Sequence, residues 1–147
     1  MPIAIRPAAE SDLPALLALY AELHVDDPVL PRSAALRTWQ AIQEQVGRTI
    51  LLAESDGMPV ATADCATLPN LTRGARPFML VENVVVTAAL RRSGIGTALL
   101  DAVFALARDA GCYKIQLLSR ASRHGAHAFY EARGFRTVAQ GYRLYLD

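Results

Sequence analysis

The chain passes from a β-branched run, Phe78-Met79-Leu80-Val81-Glu82-Asn83-Val84-Val85-Val86, through Arg91-Arg92-Ser93-Gly94-Ile95-Gly96-Thr97 into an Ala/Leu-rich helical stretch. A strand that feeds a helix through cations and glycines has the makings of a phosphate cradle. The first amide N–H groups of a helix lack intrahelical partners and lie at the positive end of its dipole, so an anion there gains hydrogen bonds and favourable electrostatics together. Gly94 and Gly96 let a pyrophosphate reach the backbone without a Cβ in the way, while Arg91 and Arg92 add charge and forked donors. Glycine spacing alone fits a solvated surface loop equally well. The flanking strand, with one carboxylate inside it, favours the cradle.

Two familiar phosphate loops fail on named residues. A Walker loop needs Lys-Ser/Thr after its last glycine, and here Gly96 is followed by Thr97-Ala98. A dinucleotide fingerprint wants a third Gly or Ala where Leu99 stands, in a much larger domain. What the loop resembles is the acyl-CoA loop of the Gcn5-related N-acetyltransferase (GNAT) family, Gln/Arg-x-x-Gly-x-Gly/Ala, met by Arg91 to Gly96. Downstream, Ala126-His127-Ala128-Phe129-Tyr130-Glu131-Ala132-Arg133-Gly134-Phe135 is similar to that family's later helix, with its Phe-Tyr or Leu-Tyr pair and following Gly-Phe. The resemblance spans nearly the whole chain and is sharpest from Val81 to Phe135.

At 147 residues the chain fits one domain, 1–147, able to bury roughly two-thirds of its unfolded surface. With 52% hydrophobic and 20% charged residues and a net charge of +1, nothing pulls it as a whole toward nucleic acid or a membrane. The start, Met1 to Pro7, has no long apolar core, so the expected location is the cytoplasm. Cys65 and Cys112 fit that as small apolar residues rather than a disulfide or metal pair, and no zinc spacing occurs.

Periodicity predicts a strand at Ile3 to Arg6 and a helix capped by Ser11 or Asp12 with Leu13, Leu16, Leu17, Tyr20 and Leu23 on one face. A second helix, capped by Ser33, carries Leu36, Trp39, Gln43 and Val46. Arg48–Glu54 and Met58–Thr67 read as strands joined at Ser55-Asp56-Gly57, followed by the strand containing Glu82 and a helix from about Gly94 to Ala110. Lys114 to Ser119 is a further strand, Ser122 or Arg123 opens a helix reaching Arg133, and Phe135–Ala139 with Tyr142–Leu146 form a closing pair. That order gives an α/β (α+β) sandwich of sheet and helices. The resemblance implies the rest: a mixed, mostly antiparallel sheet of about six to seven strands flanked by about four helices. Its central strands, ending at Val86 and spanning Lys114 to Ser119, are expected to splay apart.

Residues two apart on a strand present the same edge, so Val84 and Val86, with Val85 between them, can offer N–H and C=O groups to the pantetheine amides of acetyl-CoA like an added strand. Packing of these valines in a closed ladder is compatible with that. An alkyl ammonium has a pKa of about 10.4, so acyl transfer to it needs a proton acceptor. Glu82 is the candidate base, placed by alternation on the face of Val84 and Val86, where apolar neighbours would desolvate it; a surface carboxylate is the bland alternative. In family relatives a phenol at the position of Tyr130 protonates the departing thiolate, and the resemblance gives Tyr130 that role beside Phe129 on the cofactor helix. As an aromatic on an amphipathic helix it also suits the core. Many relatives carry an asparagine where this chain has Arg123, which can pair with a phosphate or carboxylate instead, with Ser119 and Ser122 as other polar contacts. The cofactor set is therefore Val84, Val85, Val86, Arg91, Arg92, Ser93, Gly94, Ile95, Gly96, Thr97, Arg123 and Phe129. No metal is expected, since His24, His124 and His127 lack ligand spacing.

The activity this implies is acetyl transfer from acetyl-CoA directly to a primary amine of a small molecule or protein, by an acyltransferase that needs no nucleic acid or membrane. A non-catalytic CoA-binding or interaction module of the same fold is the alternative. Asp26 and Asp27 would suit a cationic acceptor, or are simply solvated. Dimerisation is common in the family, and exposed late strands could support a homodimer here.

Overall fold

The structure, a computed structural model, describes residues 2–120 and 123–147. They divide into two compact units, Met1–Gln116 and Leu117–Asp147. The larger unit carries strand β1 (Ile3–Pro7), helices α1 (Leu13–Leu23) and α2 (Arg32–Glu44), strands β2 (Arg48–Ser55), β3 (Met58–Leu68) and β4 (Phe78–Val86), and helix α3 (Ile95–Asp109). Strand β5 (Ile115–Leu117) straddles the boundary, and helix α4 (His124–Ala132) belongs to the smaller unit. The sheet order is β1-β2-β3-β4-β5, with the first three pairings antiparallel. Between β4 and β5, Tyr113 N–H donates to Pro77 O at 3.0 Å and Met79 N–H to Lys114 O at 3.1 Å, so both chains advance in the same sense.

Strand alternation builds two apolar faces. Ile50 and Leu52 of β2 and Val85 of β4 join Leu16 and Leu19 of α1 and Trp39 of α2 in one cluster. The alternate residues Leu51, Ala53, Ala61, Ala63 and Cys65 point the other way and are buried as well. Helix α3 packs on β1 to β4, with Ile95, Leu99, Leu100 and Val103 fully buried. The alanines on that face let the helix axis sit close, and each enclosed leucine contributes on the order of 1.5–3 kcal/mol. The β2–β3 hairpin closes through Asp56 (φ 52°) and Gly57 (φ 78°), the double left-handed turn that Asp-Gly favours.

The structure departs from the sequence expectations at several element ends. The carboxylate of Asp12 caps nothing in α1: it accepts from Ala9 N–H at 2.7 Å and from the Arg6 guanidinium at 2.7 and 2.9 Å. Pro31 rather than Ser33 precedes α2, and Val46 lies past its end, fully exposed. Among the described residues the sheet has five strands, not six or seven, because residues 135–147 form no strand. Val138, Tyr142, Leu144 and Leu146 are exposed there. Their alternation specifies a face, but a two-stranded ribbon without a third strand is marginal in water, and alternation cannot name a partner. The expected helix start at Ser122 lies outside the described residues.

Asp12 is buried, and its carboxyl is held below its ordinary 3.8 chiefly by the Arg6 guanidinium; burial opposes this and the Ala9 N–H assists. A depressed folded value means that this stabilisation is fully present above about pH 3.8 and is lost as pH falls through the folded value. Urea unfolding of wild type and Asp12→Asn should therefore show a stability gap near neutral pH that narrows on acidification; a gap independent of pH would contradict the assignment.

Candidate active site

Strand β4 carries an irregularity that alternation could not foresee. Val85 stands opposite Thr62 and Glu82 opposite Asp64, so Asn83 and Val84 together face the single residue Ala63. Asn83 is left-handed (φ 52°), a conformation Asn tolerates better than most, and the result is a β-bulge. The extra residue shifts the parity of the strand. Glu82 shares the face of Val85, that of α1 and α2, whereas Val86, opposite Ala61, is on the α3 face. The expectation that Glu82 and Val86 share a face is thereby corrected. Glu82 is also exposed rather than enclosed by its apolar neighbours, and it has no ion pair among the described residues.

Beyond the bulge, Val85 is buried in the core and Val84 and Val86 are half-buried. Val86 O accepts from Arg91 Nε at 3.2 Å, so the loop folds back on the end of its own strand. Tyr113 and Lys114, just before β5, bond to Pro77 O and Met79 N–H near the start of β4, and β5 is three residues long against nine for β4. The far half of β4 therefore outruns its neighbour, as splayed central strands require.

The cradle follows. A turn at Ala88–Leu90 is tied to α1 by Glu22, whose carboxylate accepts from Thr87 Oγ1 and from Ala88 N–H, both at 2.9 Å. Nothing in the residue pattern singled out Glu22. Arg92 is left-handed (φ 63°), and Ser93 Oγ donates to Leu90 O, which occupies its proton within the loop. Gly94 is the N-cap of α3 at φ 87°, and a Cβ built there would meet no atom within 4 Å. No side chain caps α3, and Arg91 and Arg92 are exposed. An anion in that space would meet the first amides of a four-turn helix, at Ile95, Gly96 and Thr97, with two guanidinium groups near. These residues fit the pyrophosphate of CoA.

In the smaller unit the Tyr-to-Phe spacing has a local cause. Arg133 is the C-cap of α4, Gly134 follows at φ 99°, Gly134 N–H donates to Glu131 O at 3.0 Å and Phe135 N–H to Tyr130 O at 3.1 Å. That is a Schellman closure, with its usual apolar contact supplied by the Tyr130 and Phe135 rings at 5.7 Å. Phe129 lies 5.5 Å from Tyr130. Tyr130 is buried, and burial pushes its phenol above the ordinary value while the charge of Arg123 opposes this. Arg123 is the N-cap of α4 and is exposed. Ser119 Oγ is buried with no partner among the described residues, an orphan polar atom of the kind a ligand amide would satisfy. Ser122 lies outside the described residues. His127 Nε2 is 2.7 Å from Arg120 O, a structural contact.

A family model for the acetyltransferase (GNAT) family matches residues 13–135. The chain is 32% identical over 144 residues to a glucosamine 6-phosphate N-acetyltransferase of Trypanosoma brucei brucei, covering 95% of this chain and 93% of that protein. It is 31% identical over 141 residues to an aminoglycoside N(6')-acetyltransferase type 1 of Stenotrophomonas maltophilia, covering 90% and 88%. A solved putative acetyltransferase from Agrobacterium tumefaciens str. C58 superposes with a TM-score of 0.93 at 40% identity, over 97% of this chain and 99% of that one. The chain belongs to the GNAT acetyltransferase family. It is an acetyl-CoA dependent N-acetyltransferase that acts on an amine.

Gly134 and Gly125 are both in or beside α4, and neither would crowd a Cβ. Only Gly134 has a positive φ. Gly134→Ala should cost about 1–2 kcal/mol through backbone strain, whereas Gly125→Ala should stabilise by about 0.4–1 kcal/mol by restricting the unfolded chain. Amide exchange across α4 and thermal unfolding check the opposite signs.

Proposed function

We propose that Glu82 accepts the proton of the acceptor ammonium, directly or through a water, and that Tyr130 donates a proton to the sulfur as the acyl C–S bond breaks and the C–N bond forms. Two separate observations support this, one in each unit. Glu82 is exposed and unpaired among the described residues, available to solvent protons and cations; Tyr130 is buried with its phenol pushed up, so it stays protonated at neutral pH. When bound, acetyl-CoA supplies the activated carbonyl. Arg91, Arg92, Gly94, Ile95, Gly96 and Thr97 hold its pyrophosphate, with Ser93 bracing the loop. Val84, Val85 and Val86 align its pantetheine, and Arg123 and Phe129 complete the grip. No metal enters these roles.

The acceptor we infer is a primary amine on a polar small molecule, such as an amino sugar. The named substrates of the two relatives, glucosamine 6-phosphate and aminoglycosides, both carry such amines on sugar rings. We place the reaction in the cytoplasm, with no nucleic-acid or membrane partner. The net charge of +1 offers no overall attraction to nucleic acid or to an anionic surface. A homodimer is proposed on the exposed apolar residues Tyr142, Leu144 and Leu146.

Release of free CoA thiol from acetyl-CoA should appear with at least one member of an amine panel that includes glucosamine 6-phosphate and an aminoglycoside. Glu82→Gln and Tyr130→Phe should each lower kcat, by about 10²-fold or more for a proton carrier in the reaction. Cofactor affinity should survive Tyr130→Phe and fall on the order of tenfold in Arg91→Ala or Arg92→Ala, each of which loses a charge-assisted contact. Wild-type turnover in Tyr130→Phe would remove that residue from its role.

A further inference from the structure

On the α1/α2 face of the sheet, Asp64 of β3 stands directly opposite Glu82 of β4. Two carboxylates in that register repel one another, and a cation nearby would ordinarily settle between them. Arg48 of β2, on the same face, is instead committed elsewhere. Its Nε and Nη2 hold both oxygens of the buried Asp64, at 3.0 and 2.6 Å, and its Nη1 donates to Gln45 Oε1 at 2.7 Å. Arg48 is paired with Ala66 and Ala66 with Leu80, so Glu82 stands two residues along β4 from the register position of Arg48, two strand spacings of about 4.8 Å away. The Tyr20 hydroxyl, buried near Thr62 and Asp64 without a hydrogen bond of ordinary geometry, is pushed up to about 12 by burial and then by Asp64, so it stays neutral. Asp64 is buried and Arg48 only half-buried, so the pair holds the guanidinium at the edge of this face.

We propose that Asp64 is a positioning residue for acceptor capture: by locking the fork of Arg48 it keeps that cation off Glu82 and leaves Glu82 as the uncompensated carboxylate that receives an amine. The inference rests on the role proposed for Glu82. It names Asp64 and Arg48 as residues that act through Glu82, without touching substrate.

The test reads the ¹H–¹⁵N signal of Arg48 Nε together with kinetics. In the wild-type protein that signal should be protected from exchange and indifferent to Glu82→Gln; a shift caused by Glu82→Gln alone overturns the proposal without any change at Asp64. In Asp64→Asn the signal should become sensitive to Glu82→Gln, because the freed arginine now pairs with Glu82. A solvent-like signal that ignores Glu82 overturns it. With the amine found in the panel, Asp64→Asn should lose about three- to fivefold in kcat/KM, mostly through KM, the size of an exposed ion pair to be displaced. Asp64→Asn/Arg48→Gln should recover most of it. A loss that persists in the double variant makes Asp64 merely structural and overturns the proposal. An NMR switch with no kinetic loss supports the sequestration of Arg48 and overturns the role of Glu82 instead.

Discussion

Between Glu82 and Val85, strand β4 carries one residue more than the strand it pairs with, and the chemistry of the larger unit depends on that bulge. A strand with unbroken alternation would put Glu82 and Val85 on opposite faces. Val85 must reach the core of α1, α2 and β2, so without the bulge Glu82 would turn toward α3, where a carboxylate would be buried among Met79, Val81 and the α3 leucines. The left-handed Asn83 absorbs the extra residue. Apolar packing on both faces and an exposed acid on the strand then coexist.

The cradle depends on the same strand at its other end. Because Arg91 returns to Val86 O and Glu22 ties Thr87 and Ala88 to α1, the loop enters α3 in a defined direction with the helix amides open. The cluster that includes Val85 sets the position of α1 and therefore that of Glu22. Core packing and the anion site are in this sense one construction. In the smaller unit a local device does comparable work: the Schellman closure fixes Tyr130 and Phe135 together, so the phenol is held by backbone hydrogen bonds as well as by its own ring.

Much of this was legible in the residues. The span of β4, the ends of α3 to within a residue, the Asp-Gly hairpin and the glycine after α4 all follow from short-range rules of φ, capping and apolar period, and the two motifs identify the family. The misses have a common character. Asp12 does not cap α1 because its carboxylate is taken by Arg6 of β1 and by Ala9 N–H; the alternating residues from Tyr142 to Leu146 form no strand because alternation supplies no partner. Arg48 and Asp64 are sixteen residues apart with no motif between them, and only antiparallel pairing of β2 with β3 brings them together.

The sequence by itself determined that a strand ending in β-branched residues meets a helix through glycines and arginines, that a Phe-Tyr pair precedes a Gly-Phe turn, and that the chain is a GNAT acetyltransferase. These are local properties, set by backbone freedom and by the unpaired amides at a helix start. The tertiary structure alone decided which way Glu82 faces, that it is exposed rather than desolvated, and that Asp64 stands across from it in the grip of Arg48. Those facts depend on register, and one bulged residue is enough to reverse the face of everything that follows it along a strand.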